Sequence, residues 1–116
     1  MMRSISERLK NPDNACIVLV NCHRQIVGFT PNLLSIWHLP EVIIKSLSDQ
    51  LALEFVSEQF DNPKLFLKDM TEIYEQTHLE INEKVQLKDG RIIQRHSKPL
   101  CFNGVYAGRL WMFEHH

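Results

Sequence analysis

The sequence predicts an α+β fold in which one antiparallel sheet is covered on one face by helices. Three observations predict it. Two β-branched runs, "ACIVLV" and "QIVGF", precede a central helical block. From Leu79 onward the spacing changes from helical to alternating, as in "LEINEKVQL". Two glycine turns, "KDG" and "FNG", then divide the remaining chain into three strands.

Each element has its own signal. "MMRSISERLK" is polar with Ile5 and Leu9 four apart, and reads as a lead-in helix or linker over residues 1–12, broken by "NPDN". Residues 13–114 read as one domain, because a chain of 116 residues can bury one core and not two. His115 and His116 resemble a purification-tag remnant and are set aside. "ACIVLV" and "QIVGF" are strands joined by a turn at "NCHR". "TPNLLSIWHL" starts a helix with Thr30 as N-cap and Pro31 in the first helical position, and Pro40 closes it. "SDQLALEFVSEQF" is capped by Ser48, with Leu51, Phe55 and Val56 on one stripe. "NPKLFLKDMTEIYEQ" starts at Asn62 with Pro63 behind it. Phe66, Met70, Ile73 and Thr77 share one face there, flanked by Leu67 and Tyr74. These stripes read first as core packing.

The turns align the last three strands. "KDG" fits a three-residue hairpin loop with Gly90 left-handed, which pairs Glu83 with Arg95 and Ile81 with Ser97. "FNG", taken in the same class, pairs Cys101 with Val105, Ser97 with Arg109, and Arg95 with Trp111. A two-residue Asn-Gly turn would shift that register by one and turn Trp111 over. The three-residue loop is preferred because it gathers Val85, Leu87, Ile93, Trp111 and Phe113 on one face. Arg95 then points under the helices between a carboxylate and an indole.

Composition excludes several function classes. The formal net charge is −1, which gives no sign of a nucleic-acid partner. No apolar run reaches the length of a membrane span. The three cysteines are widely spaced and read as reduced thiols of a cytoplasmic protein. The histidines have no metal-ligand spacing, so no metal site is assigned. No nucleophile–base set, carboxylate pair or phosphate loop appears, so no catalytic residue is assigned and the domain reads as non-enzymatic.

From about Asp13 to Phe113 the chain resembles a PAS domain of the type found in bacterial sensor histidine kinases. The resemblance rests on "ACIVLVNCHRQIVGFTPNLLSIWHLP" and on "LFLKDMTEIYEQ" followed by "EKVQLKDGRIIQRHSKPL" and "NGVYAGRLWMF". The family's Asp-x-x-Gly-Arg turn is altered here to Asn21-Cys22-His23-Arg24. The resemblance implies a five-stranded antiparallel sheet with helices on one face, enclosing a cavity for a ligand. It also implies a sensory or relay role beside an attached output domain, commonly a kinase. Flavin photochemistry is not expected, because Cys22 falls in a strand-to-strand turn instead of on a helix. Haem is not expected either, because "DNPKLFLKDM" carries no histidine. The cofactor, if there is one, stays unknown.

Two sets of residues become candidates. Glu83, Arg95, Ser97, Arg109 and Trp111 converge beneath the helices with Met70 and Tyr74 as lid residues, and arginine forks suit a small anionic ligand. The alternative at Arg95 is a built-in ion pair with Glu83. Arg109 has no such partner and is the better anion candidate if buried. Ile92, Tyr106, Leu110 and Met112 leave the opposite sheet face half apolar. A homodimer partner or the lead-in helix, through Ile5 and Leu9, would cover it. A ligand-free dimerisation module is the alternative reading of the whole chain.

Overall fold

A computed structural model of the chain describes residues 15–116. The expected lead-in helix, with Ile5 and Leu9, lies outside those residues. The element order is β1 (Cys16–Asn21), β2 (Ile26–Phe29), α1 (Leu33–Ile36), α2 (Glu41–Lys45), α3 (Asp49–Ser57), α4 (Pro63–Glu75), β3 (Ile81–Gln86), β4 (Ile92–Phe102) and β5 (Val105–His115). The strands form one antiparallel sheet in the order β2-β1-β5-β4-β3. The first and last strands, β1 and β5, are therefore neighbours, and β5 lies in the centre of the sheet.

Local chemistry fixes the helix starts. Ser48 Oγ accepts from Leu51 N at 3.2 Å, and Asn62 Oδ1 accepts from Leu65 N at 3.1 Å with Pro63 next in line. The first helix differs from expectation. Thr30 Oγ1 accepts from Ile17 N and donates to Asn32 Oδ1, so the hydroxyl braces β1 and α1 begins at Leu33. Pro40 does not close that helix; it is the N-cap of α2, a short element the sequence reading passed over. On α3 the inward stripe is Asp49, Ala52 and Val56, while Leu51 is exposed. On α4, Phe66, Met70 and Ile73 face inward.

The core lies between these stripes and the inner sheet face, where Val18, Val20, Ile93 and Trp111 are buried. The β3–β4 register is as expected, with Glu83 opposite Arg95, Ile81 opposite Ser97, and Gly90 left-handed at φ 95°. The β4–β5 register is not. Phe102 pairs directly with Val105 across a two-residue Asn103-Gly104 turn, both residues having positive φ. That turn alone would send Trp111 outward. A bulge follows, however: Cys101 pairs with Tyr106 and Leu100 with Gly108, leaving Ala107 as the extra residue. The bulge returns Trp111 and Phe113 to the inner face, two residues from the expected register. Arg95 therefore faces Phe113, Ser97 faces Trp111, and Arg109 faces Pro99. Gly108 sits at the bulge with φ 145°, and a Cβ there would lie 2.0 Å from Val20 O.

On the outer face, Ile92 is partly exposed, and Tyr106 and Leu110 are half-buried. Met112 is only 4% exposed, so it offers no free surface. Among the described residues, no helix is long and apolar enough to cross a membrane.

Candidate functional site

A cavity of about 50 Å³ lies between the helices and the sheet. Its helical wall includes Trp37, Phe60 and Phe66, and its sheet wall Val18, Trp111 and Phe113. The aromatic rings brace one another. Phe60 stacks on Phe66 at 4.1 Å between centroids, and Trp37 meets Phe113 edge-on at 5.2 Å. This volume holds a few water molecules or a ligand of a few heavy atoms, whereas drug-sized ligands fill roughly 300–1,000 Å³. Two charged residues reach the wall, Asp49 and Arg95.

Asp49 opens α3, where the helix N-terminus favours a carboxylate. Arg24 Nε donates to Asp49 Oδ2 at 2.9 Å, and Asp49 N donates to Arg24 O at 3.1 Å. Arg24 holds a left-handed backbone, φ 62°, which costs a non-glycine residue about 1 kcal/mol. That backbone carries its guanidinium over the Tyr74 ring, 3.9 Å from the centroid. The Tyr74 phenol and the Asp49 carboxylate interact electrostatically, and Trp111 Nε1 donates to Tyr74 Oη at 2.9 Å. Burial pushes the Asp49 carboxyl above its usual range, against the pull of Arg24 and Tyr74. Burial and the Asp49 charge push the Tyr74 phenol up, so it stays neutral. One chain of contacts thus joins the β1–β2 turn, α3, α4 and the central strand.

Arg95 is 8% exposed and serves the opposite wall. Its Nε donates to Glu83 Oε1 at 2.9 Å, and its Nη2 bonds the same oxygen. Among the described residues, Nη1 has only the Met70 sulfur, at 3.5 Å, a weak acceptor. Glu83 is half exposed, so this pair runs from the cavity wall to the surface.

Arg109 is fully buried but turns away from the cavity. Nη1 donates to Leu79 O at 2.8 Å and Ser97 Oγ at 3.0 Å, and Nη2 donates to Gln76 O at 3.1 Å. A cation thus sits on the carbonyls that follow α4, where the helix dipole is negative. This use corrects the expectation that a buried Arg109 offers an anion site: carbonyl oxygens occupy the guanidinium. Its Nε alone, among the buried side-chain polar atoms of the described residues, has no partner.

Of the seven pocket candidates, Met70, Arg95 and Trp111 line the cavity. Tyr74 backs Trp111, Glu83 anchors Arg95 from outside, and Ser97 and Arg109 form a separate strut. Sequence reasoning missed Asp49 and Arg24. The available signals were an acid directly after the Ser48 cap and an arginine at the end of a turn. Among the described residues, no group of three His, Cys, Asp or Glu side chains is placed to hold a metal ion.

No family model matches the sequence, and no curated protein is similar to it in sequence. Solved structures are similar in shape. A PAS domain of BvgS from Bordetella pertussis superposes with a TM-score of 0.67 at 11% identity, covering 92% of this chain and 79% of that one. The chain has the PAS fold. A PAS domain from Colwellia psychrerythraea gives a TM-score of 0.54 at 14% identity, covering 97% and 98% of the two chains. The sensor region of a sensor histidine kinase gives 0.64 at 12% identity; it is matched over 86% of this chain, which spans 38% of its length. Within this PAS fold Cys22 is exposed in the β1–β2 turn, and α4 carries no histidine.

Proposed function

We propose that the chain is a sensory module of a larger signalling protein, such as a sensor histidine kinase. In this reading it detects a small ligand in the cavity and regulates an attached output domain, itself doing no chemistry. The supporting observation is an aromatic cavity with two charged groups, Asp49 and Arg95, on its wall. The cavity size restricts the ligand to a few heavy atoms. Arg95 Nη1, held only by a thioether, makes a small anion the matching class. The module works in the cytoplasm, which suits its three free cysteines. It works as a homodimer whose contact includes Ile92, Tyr106 and Leu110 on the outer sheet face.

A second reading, a ligand-free dimerisation and relay module, is favoured by one observation. Both wall charges already have partners within the chain, Arg24 and Glu83. Native mass spectrometry with an absorption spectrum on the same sample separates the readings. Mass in excess of the sequence supports a sensor and nearly identifies its ligand. A bare dimer, unchanged by added formate or acetate, supports the relay module. A bare monomer that binds neither anion sinks both.

A further inference from the structure

Among the described residues, the sheet has an open edge that the cavity readings leave unused. β3 is the last strand of the sheet, and its pairing with β4 runs from Ile81–Ser97 to Gln86–Ile92 without a bulge. The β1–β2 and β4–β5 pairings each contain one. Bulges and prolines are common ways of blunting an edge, and β3 has neither. Among the described residues, no backbone group outside β4 hydrogen-bonds to the Ile81–Gln86 backbone. Above this edge, between α4 and β3, runs a groove of about 410 Å³. Asp69, Glu72, Glu80 and Glu83 line it, with Ile73 and Leu79 as apolar surface. Among the described residues, its one basic lining residue, Arg95, is already bonded to Glu83.

We propose that the β3 edge and the acidic groove form a docking site for a basic, extended peptide segment that adds to the sheet as a sixth strand. The free backbone groups of β3 supply the main-chain hydrogen bonds. Side chains alternate along a strand, so every second residue of the peptide enters the groove. A lysine or arginine there meets Asp69 or Glu72, and its methylene stem lies on Ile73 and Leu79. A second copy of this chain is the wrong occupant, because β3 against β3 would set two acidic grooves side by side.

The test uses the full chain and three fluorescein-labelled peptides, read by fluorescence anisotropy in low salt. One peptide alternates Lys and Val. The second replaces each Lys by Glu. The third keeps every Lys but replaces alternate Val by Pro, which removes N–H donors without changing charge. The Lys–Val peptide is expected to bind saturably, and each of the others at least about ten-fold more weakly. Asp69→Lys with Glu72→Lys, both at exposed positions, is expected to weaken it about three- to ten-fold and to leave the thermal midpoint unchanged. Hydrogen exchange at the Ile81–Gln86 amides is expected to slow in the complex. Equal binding of the Pro peptide overturns strand addition, since attraction between charges alone then suffices. Equal binding of the Glu peptide, or no saturable binding, overturns the site. So does a dimer that protects the same amides without any peptide.

Discussion

The guanidinium of Arg24 lies over the ring of Tyr74 while its Nε is bonded to Asp49. A strained turn residue, a buried acid and a phenol on α4 are thereby held as one unit. Arg24→Gly would relax the left-handed backbone and at the same time leave Asp49 without its cation. The loss of a partner for a buried charge outweighs about 1 kcal/mol of relieved strain. The variant is expected to be less stable than the parent in urea unfolding at pH 7. Greater stability would mean that the turn geometry dominates.

Asp49 also makes a signed contribution to pH dependence. Burial raises its folded-state pKa above the ordinary value of 3.8. Between those two values the folded state binds more protons than the unfolded state, so stability from this group rises as pH falls. The ionised form is the penalised one, and the penalty is fully present above the raised pKa. Asp49→Asn removes the titration. The difference in thermal midpoint between parent and variant should therefore move in the parent's favour from pH 7 towards pH 4. A constant difference across that range would show that Asp49 titrates normally.

The three thiols should separate cleanly. Cys22 and Cys101 are exposed, whereas Cys16 is fully buried and burial pushes its pKa up to about 12. At pH 8 a thiol reagent is expected to modify two cysteines quickly and the third only on denaturation. Rapid modification of all three would place the end of β1 in contact with solvent.

Gly108 is expected to be intolerant of any side chain. A Cβ at that position meets the backbone of Val20 and Asn21, which cannot step aside as a side chain would. Gly108→Ala should cost about 2–4 kcal/mol in denaturant unfolding. Gly28→Ala is the control, because its Cβ would meet only the Leu19 side chain at 3.5 Å. That change should cost less than about 1 kcal/mol. Similar costs at both sites would remove the close approach as the cause.

Glu83→Gln should cost about 1 kcal/mol, moderated by the solvent that reaches the half-exposed carboxylate. An unchanged urea midpoint would mean that Arg95 is held by its other contacts.

Much of this fold was legible in the chain because its punctuation is local. Ser48, Asn62, Pro63 and Gly90 act within one turn, and each stands where its side chain or backbone predicts. The β3–β4 register followed from one loop class. Thr30 was misread because its hydroxyl bonds a residue thirteen positions away, which no local pattern reports. The Asp49–Tyr74–Trp111 relation was hidden for the same reason, since it joins α3, α4 and β5. Arg109 was placed on the correct face, but its acceptors are the carbonyls of Gln76 and Leu79. Every residue has a carbonyl, so the sequence marks none of them out.

The β4–β5 hairpin reaches the right faces through two one-residue offsets in the same direction, the tight Asn103-Gly104 turn and the extra Ala107, each of which reverses the facing once. Each offset is neutral only in the other's company. A deletion of Ala107 alone would turn the following strand inside out, presenting Trp111 and Phe113 to solvent and Leu110 and Met112 to the core. In the coinage of insertions and deletions, this hairpin is a parity code: length changes are silent in pairs and ruinous singly.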